Sequence, residues 1–150
     1  MTTFTVTNLN DSGLGSFRAA ILAANSDSSG TPVDIKFAVN GVIHLSSDLP
    51  TISNTARIDG TSAPAYSAAG QPVVEIDFNN HAGLNFGSGS SGSTLLGLAL
   101  GNAAGNGVTL NASNITINKN YIGLHADGSA FGNSGDGVFV SPLSSYNKIC

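Results

Sequence analysis

The chain has 150 residues, a net charge of −4, and 9% charged against 41% hydrophobic residues. Its five Lys and Arg are scattered and leave no basic stripe for a phosphate backbone. No run approaches the roughly 18 apolar residues of a membrane-spanning helix, and no basic start with an apolar core marks a leader.

That length suits one domain with a sizeable core. Low charge and 19 glycines would suit disorder. The apolar residues, however, are β-branched or aliphatic and recur at strand spacing, which argues for order.

Residues 3–8 alternate apolar and polar, with Phe4 and Val6 on one face. Asn10-Asp11-Ser12-Gly13 predicts a turn. Ser16 is placed to cap a helix over 17–24, in which Phe17, Ala20, Ile21 and Ala24 form the apolar stripe. Asn25 is expected to end it in the left-handed region. Arg18, in the first turn, has the Asp11 turn and nearby carbonyls within reach, a helix-fixing role. No other segment reads as helical, so the chain is expected to be essentially all β. Residues 1–32 then form a strand-and-helix cap, held by Phe17, Arg18, Ala20, Ile21 and Ala24, over coils spanning 33–150, all within a single domain.

Further strands are predicted over 33–39, 42–45, 55–58 and 73–78, with 60–72 a surface loop. A phrase then repeats. Asn106-Gly107-Val108-Thr109-Leu110 returns 30 residues later as Asp136-Gly137-Val138-Phe139-Val140, and a weaker copy, Ala82-Gly83-Leu84-Asn85-Phe86, precedes it by 24. A second series, Leu95, Ile117 and Ile149, has offsets of 22 and 32. Strands recurring at similar but unequal intervals imply a wound coil, each turn stacked about 4.8 Å from the last.

Several stretches carry a resemblance. They are Val6-Thr7-Asn8, Asp11-Ser12-Gly13, Gly15-Ser16-Phe17-Arg18-Ala19-Ala20-Ile21 with Ala24-Asn25, Leu49-Pro50-Thr51-Ile52, Ile58-Asp59-Gly60-Thr61 and Glu75-Ile76-Asp77. Asn120-Tyr121-Ile122-Gly123, Gly132-Asn133 and Gly135-Asp136-Gly137-Val138 continue the series. In this order they resemble the N-terminal cap and first coils of bacterial right-handed parallel β-helix repeat proteins, of the pectate-lyase-like superfold. Leu124-His125-Ala126 departs from the pattern, which often has a Thr-Asp pair there. The resemblance implies an all-β, right-handed parallel β-helix with an N-terminal strand and short capping helix. It further implies an extracellular or cell-surface protein whose leader is not in this chain. For activity it leaves two classes, adhesin-like surface proteins and pectin- or alginate-acting enzymes; fold does not settle function.

Little catalytic chemistry is visible. Gly87-Ser88-Gly89-Ser90-Ser91-Gly92 matches a dinucleotide-binding pattern by letter, but 94–100 reads as a strand and no acidic residue follows until Asp127. Glu75 and Asp77 share the outward side of one strand, with Val74, Ile76 and Phe78 inward. A solvated pair, a cation site or acid/base chemistry are its readings, and residues 78–118 supply no Lys or Arg to complete a lyase site. His44, His81 and His125 stand isolated and read as surface residues. Asp127, Asn133 and Asp136 do not fit a calcium loop and read as turn formers. The metal candidates are thus Glu75, Asp77, Asp127 and Asp136, with none expected to hold a metal, and no cofactor is implied. Cys150 reads as either a small core residue in a stack cut off mid-repeat or a thiol free to bridge to a partner.

The expectation is therefore a non-enzymatic, extracellular structural or adhesive module. It would self-associate through an open coil end at Val138, Val140, Ile149 and Cys150, as a filament or a closed oligomer, with cell-surface polysaccharide as a further partner. A carbohydrate-active enzyme or polysaccharide-binding domain is the alternative.

Overall fold

Alternating side chains give each short strand one apolar face, and such strands are stable only where those faces meet. The computed structural model describes all 150 residues. It contains β1 (Thr2–Val6), α1 (Phe17–Ser26), β2 (Val33–Phe37), β3 (Gly41–His44), β4 (Ala56–Asp59), β5 (Val74–Asp77) and β6 (Leu84–Phe86). These are followed by β7 (Thr94–Leu96), β8 (Ala99–Gly101), β9 (Val108–Leu110), β10 (Thr116–Asn118), β11 (Tyr121–Ile122), β12 (Val138–Val140) and β13 (Lys148–Ile149). Two 3-10 turns lie at Gly60–Ser62 and Ser88–Ser90.

The strands form three separate sheets, of order β1-β2-β4-β7-β10-β13, β11-β8-β5-β3 and β12-β9-β6, and every strand pair is parallel. This corrects the expected fold class. The protein is mixed α/β, a ten-residue α-helix with parallel sheets of six, four and three strands, where the sequence led to the expectation of an all-β right-handed parallel β-helix. The physical reason is that apolar alternation reports which face of a strand is buried, but not which sheet the strand joins or whether sheets close on one another. From β4 onward the chain visits the six-, four- and three-stranded sheets in rotation, so each circuit adds one strand to each sheet.

Both repeat series give the observed register. Leu84, Val108 and Val138 are aligned partners, as are Phe86, Leu110 and Val140. Leu95, Ile117 and Ile149 align in the six-stranded sheet. The small residue before β6 and before β9 is a packing requirement: a Cβ on Gly83 would collide with the Asn106 and Gly107 carbonyls, and one on Gly107 would lie 2.9 Å from the Gly137 carbonyl. One continuous core of 28 buried residues runs from Val6 to Ile117.

Some boundaries differ from expectation. Ser16 caps α1 as predicted, its Oγ accepting from the Ala19 N–H, and Phe17, Ala20, Ile21 and Ala24 are buried. Asn25, however, does not end the helix. It remains helical, and the extended Asp27 (φ −73°, ψ 117°) is the C-cap. Asn25 instead bonds outward, donating to Thr51 O and accepting from the Ser53 N–H. The segment 94–100 is two strands in two sheets, separated at Gly97, whose φ of +70° lets the chain turn a corner that side-chain-bearing residues rarely take.

Candidate functional site

Three places gather polar chemistry or unpaired surface. The first is the outer face of the four-stranded sheet, where β5 turns Val74, Ile76 and Phe78 into the core and Glu75 and Asp77 outward. The expected solvated pair is corrected at Glu75, which is only 6% exposed. The segment after β11 folds over it, closed by a bridge between Leu124 and Ala130. His125 Nδ1 donates to Glu75 Oε2 at 3.0 Å and the Ala126 N–H donates to Oε1 at 2.9 Å. The imidazole stacks on Phe131 at 3.9 Å. Glu75 is thus the anchor of a surface hairpin.

Asp77 accepts from His44 Nδ1 at 2.8 Å, from the Asn79 N–H and from Asn102 Nδ2. Burial alone would raise its pKa. The bonds from Asn102, His44 and Asn79 together outweigh burial and hold the carboxyl below its ordinary value. His81 approaches Asp48, at 3.9 Å. The reading of the histidines as isolated is therefore corrected, since each meets a carboxylate from a distant part of the chain. The His44–Asp77 pair was recoverable in principle, because these residues are register partners on β3 and β5. His125 lies in a loop and had no such signal.

The second place is the N-terminal knot. Arg18 donates through Nε to Asp11 O, through Nη2 to Asp11 Oδ1 and Ser47 O, each at 3.0–3.1 Å, and through Nη1 to Asp48 O. Asp11 also accepts from the Ser46 N–H and Oγ. Burial opposes ionisation of Asp11, but the Ser46 and Arg18 bonds prevail and its pKa is lowered. One guanidinium thereby joins α1, the turn before it and the loop after β3.

The third is the final circuit, β11, β12 and β13, which forms one edge of each sheet. Val138 is half-buried, Val140 is 39% exposed and Ile149 52%, while their partners Val108, Leu110 and Ile117 are buried. Of nine exposed large hydrophobic side chains, six belong to this circuit and its loops: Leu124, Phe139, Val140, Leu143, Tyr146 and Ile149. Cys150 is exposed and unpaired.

The remaining metal candidates serve turns. Asp127 Oδ1 accepts from the Ser129 N–H and Oγ, which lowers the Asp127 pKa, and the Asp136 N–H donates to Asn106 Oδ1. Asn133 Oδ1 accepts from the Ala103 N–H. No three His, Cys, Asp or Glu side chains are grouped to hold a metal ion. The glycine-rich 87–92 stretch is a 3-10 turn leading into β7. No helix is long and apolar enough to cross a membrane. No protein-family model matches the chain, and no curated protein is detectably similar to it in sequence.

Proposed function

We propose that this is an extracellular structural or adhesive module that associates with a second copy of itself through β11, β12 and β13. The observation that carries this reading is the fate of the aligned columns. Val108, Leu110 and Ile117 are buried between neighbours on both sides, whereas Val140 and Ile149, at the last position of their columns, stand 39% and 52% exposed. Inward-facing apolar side chains beside an unpaired strand edge favour adding another strand.

The other end is unsuited to receive it. There β3 lies under Leu9, whose Cδ1 sits 2.7 Å from where a Gly41 Cβ would be, and α1 packs on β1 and β2. Like therefore meets like, an arrangement that closes a dimer and does not extend a filament. The carboxylates support a non-catalytic reading, because Glu75 and Asp77 are engaged in holding the hairpin and the neighbouring strands together.

Light scattering and electron microscopy on the 150-residue protein provide the test. A particle of twice the chain mass is expected, reduced to a monomer by Val140→Lys with Ile149→Lys. A monomer that persists up to millimolar concentration overturns the reading. So does a dimer indifferent to both substitutions.

A further inference from the structure

We propose that the outer face of the three-stranded sheet, together with the groove beside it, binds an uncharged, hydroxyl-rich oligosaccharide lying across the strands. The register aligns Asn85 on β6, Thr109 on β9 and Phe139 on β12 in one outward column. With neighbouring strands about 4.8 Å apart, the column spans roughly 10 Å, comparable to two linked pyranose rings. Phe139 is not needed by the core, which Leu84, Phe86, Val108 and Leu110 fill from the opposite face. Its ring stands 38% exposed in a column otherwise made of an amide and a hydroxyl.

Asn85 and Thr109 also line a groove of about 450 Å³ that continues to Asn106, His81 and Asp48. Hydrogen-bonding capacity there is only partly used. Asn85 Oδ1 accepts from Asn111 Nδ2 at 3.1 Å and Asn106 Oδ1 accepts from the Asp136 N–H at 2.9 Å. The NH₂ groups of both asparagines and the Thr109 hydroxyl bond to no protein group. An aromatic face beside such donors and acceptors matches a sugar, whose C–H face stacks on the ring while its hydroxyls exchange hydrogen bonds.

Charge narrows the class. Asp48 lines the groove and no Lys or Arg does, so a polyuronate would bring carboxylates against a carboxylate with no cation to receive them. Neutral hexose or N-acetylhexosamine chains meet no such cost. The site lies on the outward face, so covering the β12 edge leaves it open, and it stands whether or not the protein dimerises.

Isothermal titration and saturation-transfer NMR with cellohexaose, chitohexaose and trigalacturonate test this on the 150-residue protein. At least one neutral probe is expected to bind and trigalacturonate is not. Phe139→Ala should weaken the bound probe roughly tenfold, Thr109→Val should weaken it less, and Phe139→Tyr should preserve it, with circular dichroism unchanged in all three. Failure of both neutral probes at millimolar concentration overturns the proposal, as does trigalacturonate binding as tightly, or an affinity that Phe139→Ala leaves unaltered.

Discussion

The two ends of the strand array are made from the same kinds of side chain and are finished differently. At the N-terminal end, β3 lies under Leu9, Asp11 holds the loop after it through Ser46, and β6 is bridged by Ile52, whose N–H donates to Asn85 O while its carbonyl accepts from Gly87. The helix face of Phe17, Ala20, Ile21 and Ala24 is 5% exposed or less. At the final circuit no segment plays these parts, and valine and isoleucine in the same columns are partly solvated. An apolar residue in a stacked array is thus stabilised by neighbours on both sides, and its identity alone does not tell which end it will occupy.

The contrast can be broken from either end. The largest effect is expected at Ile21, fully buried in the helix face. Ile21→Asp forces an unpaired carboxylate among apolar side chains and should cost several kcal/mol, read as loss of the cooperative melt by circular dichroism. Arg18→Ala comes next. It removes the bonds to Asp11, Ser47 and Asp48 and should lower stability by about 2 kcal/mol in chemical denaturation. Arg18→Lys should recover only part of that, since one ammonium cannot reproduce the guanidinium fork.

Acid acts on this knot and on the face of the four-stranded sheet. Asp11 and Asp77 both have depressed pKa values, so the unfolded chain takes up protons before the folded one. Their stabilisation is complete above the ordinary aspartate value of about 3.9 and drains away as the pH falls through their folded values. The melting temperature should drop over that interval, and Asp11→Asn should flatten the drop. Glu75→Gln is smaller and local. It should cost about 1 kcal/mol and speed hydrogen exchange at Ala126 without altering β5. Smallest of all, Ile149→Lys should leave the chain's intrinsic stability within about 0.5 kcal/mol, because that side chain is already half solvated.

The N-terminal end was the more legible one. Ser16, the helix stripe and the reach of Arg18 to Asp11 follow from spacing of a few residues, where local rules hold. The strand columns were legible too, because the glycine-led phrase fixes the register of Leu84, Val108 and Val138. What escaped was set by distance along the chain. His125 meets Glu75 across 50 residues through a loop that no periodicity describes, and Glu75 is buried by that loop and not by its own strand. The end of α1 was misjudged because Asn25 is used by Thr51 and Ser53, a tertiary demand that overrides its preference for the left-handed region. The same limit explains the fold class: alternation marked the strands and left their division among three sheets unstated.

The central claim, that the final circuit is covered by a second copy, is tested most directly by hydrogen exchange along its edge. Lys148 and Cys150 donate their N–H groups back to Ile115 and Ile117, and the alternation of a parallel ladder turns the Ile149 N–H to the unpaired side. Exchange at Ile149 should slow markedly as protein concentration rises through the association range, while Lys148 changes far less. Ile149 exchanging equally fast at every concentration, in protein that light scattering finds monomeric, would contradict the account.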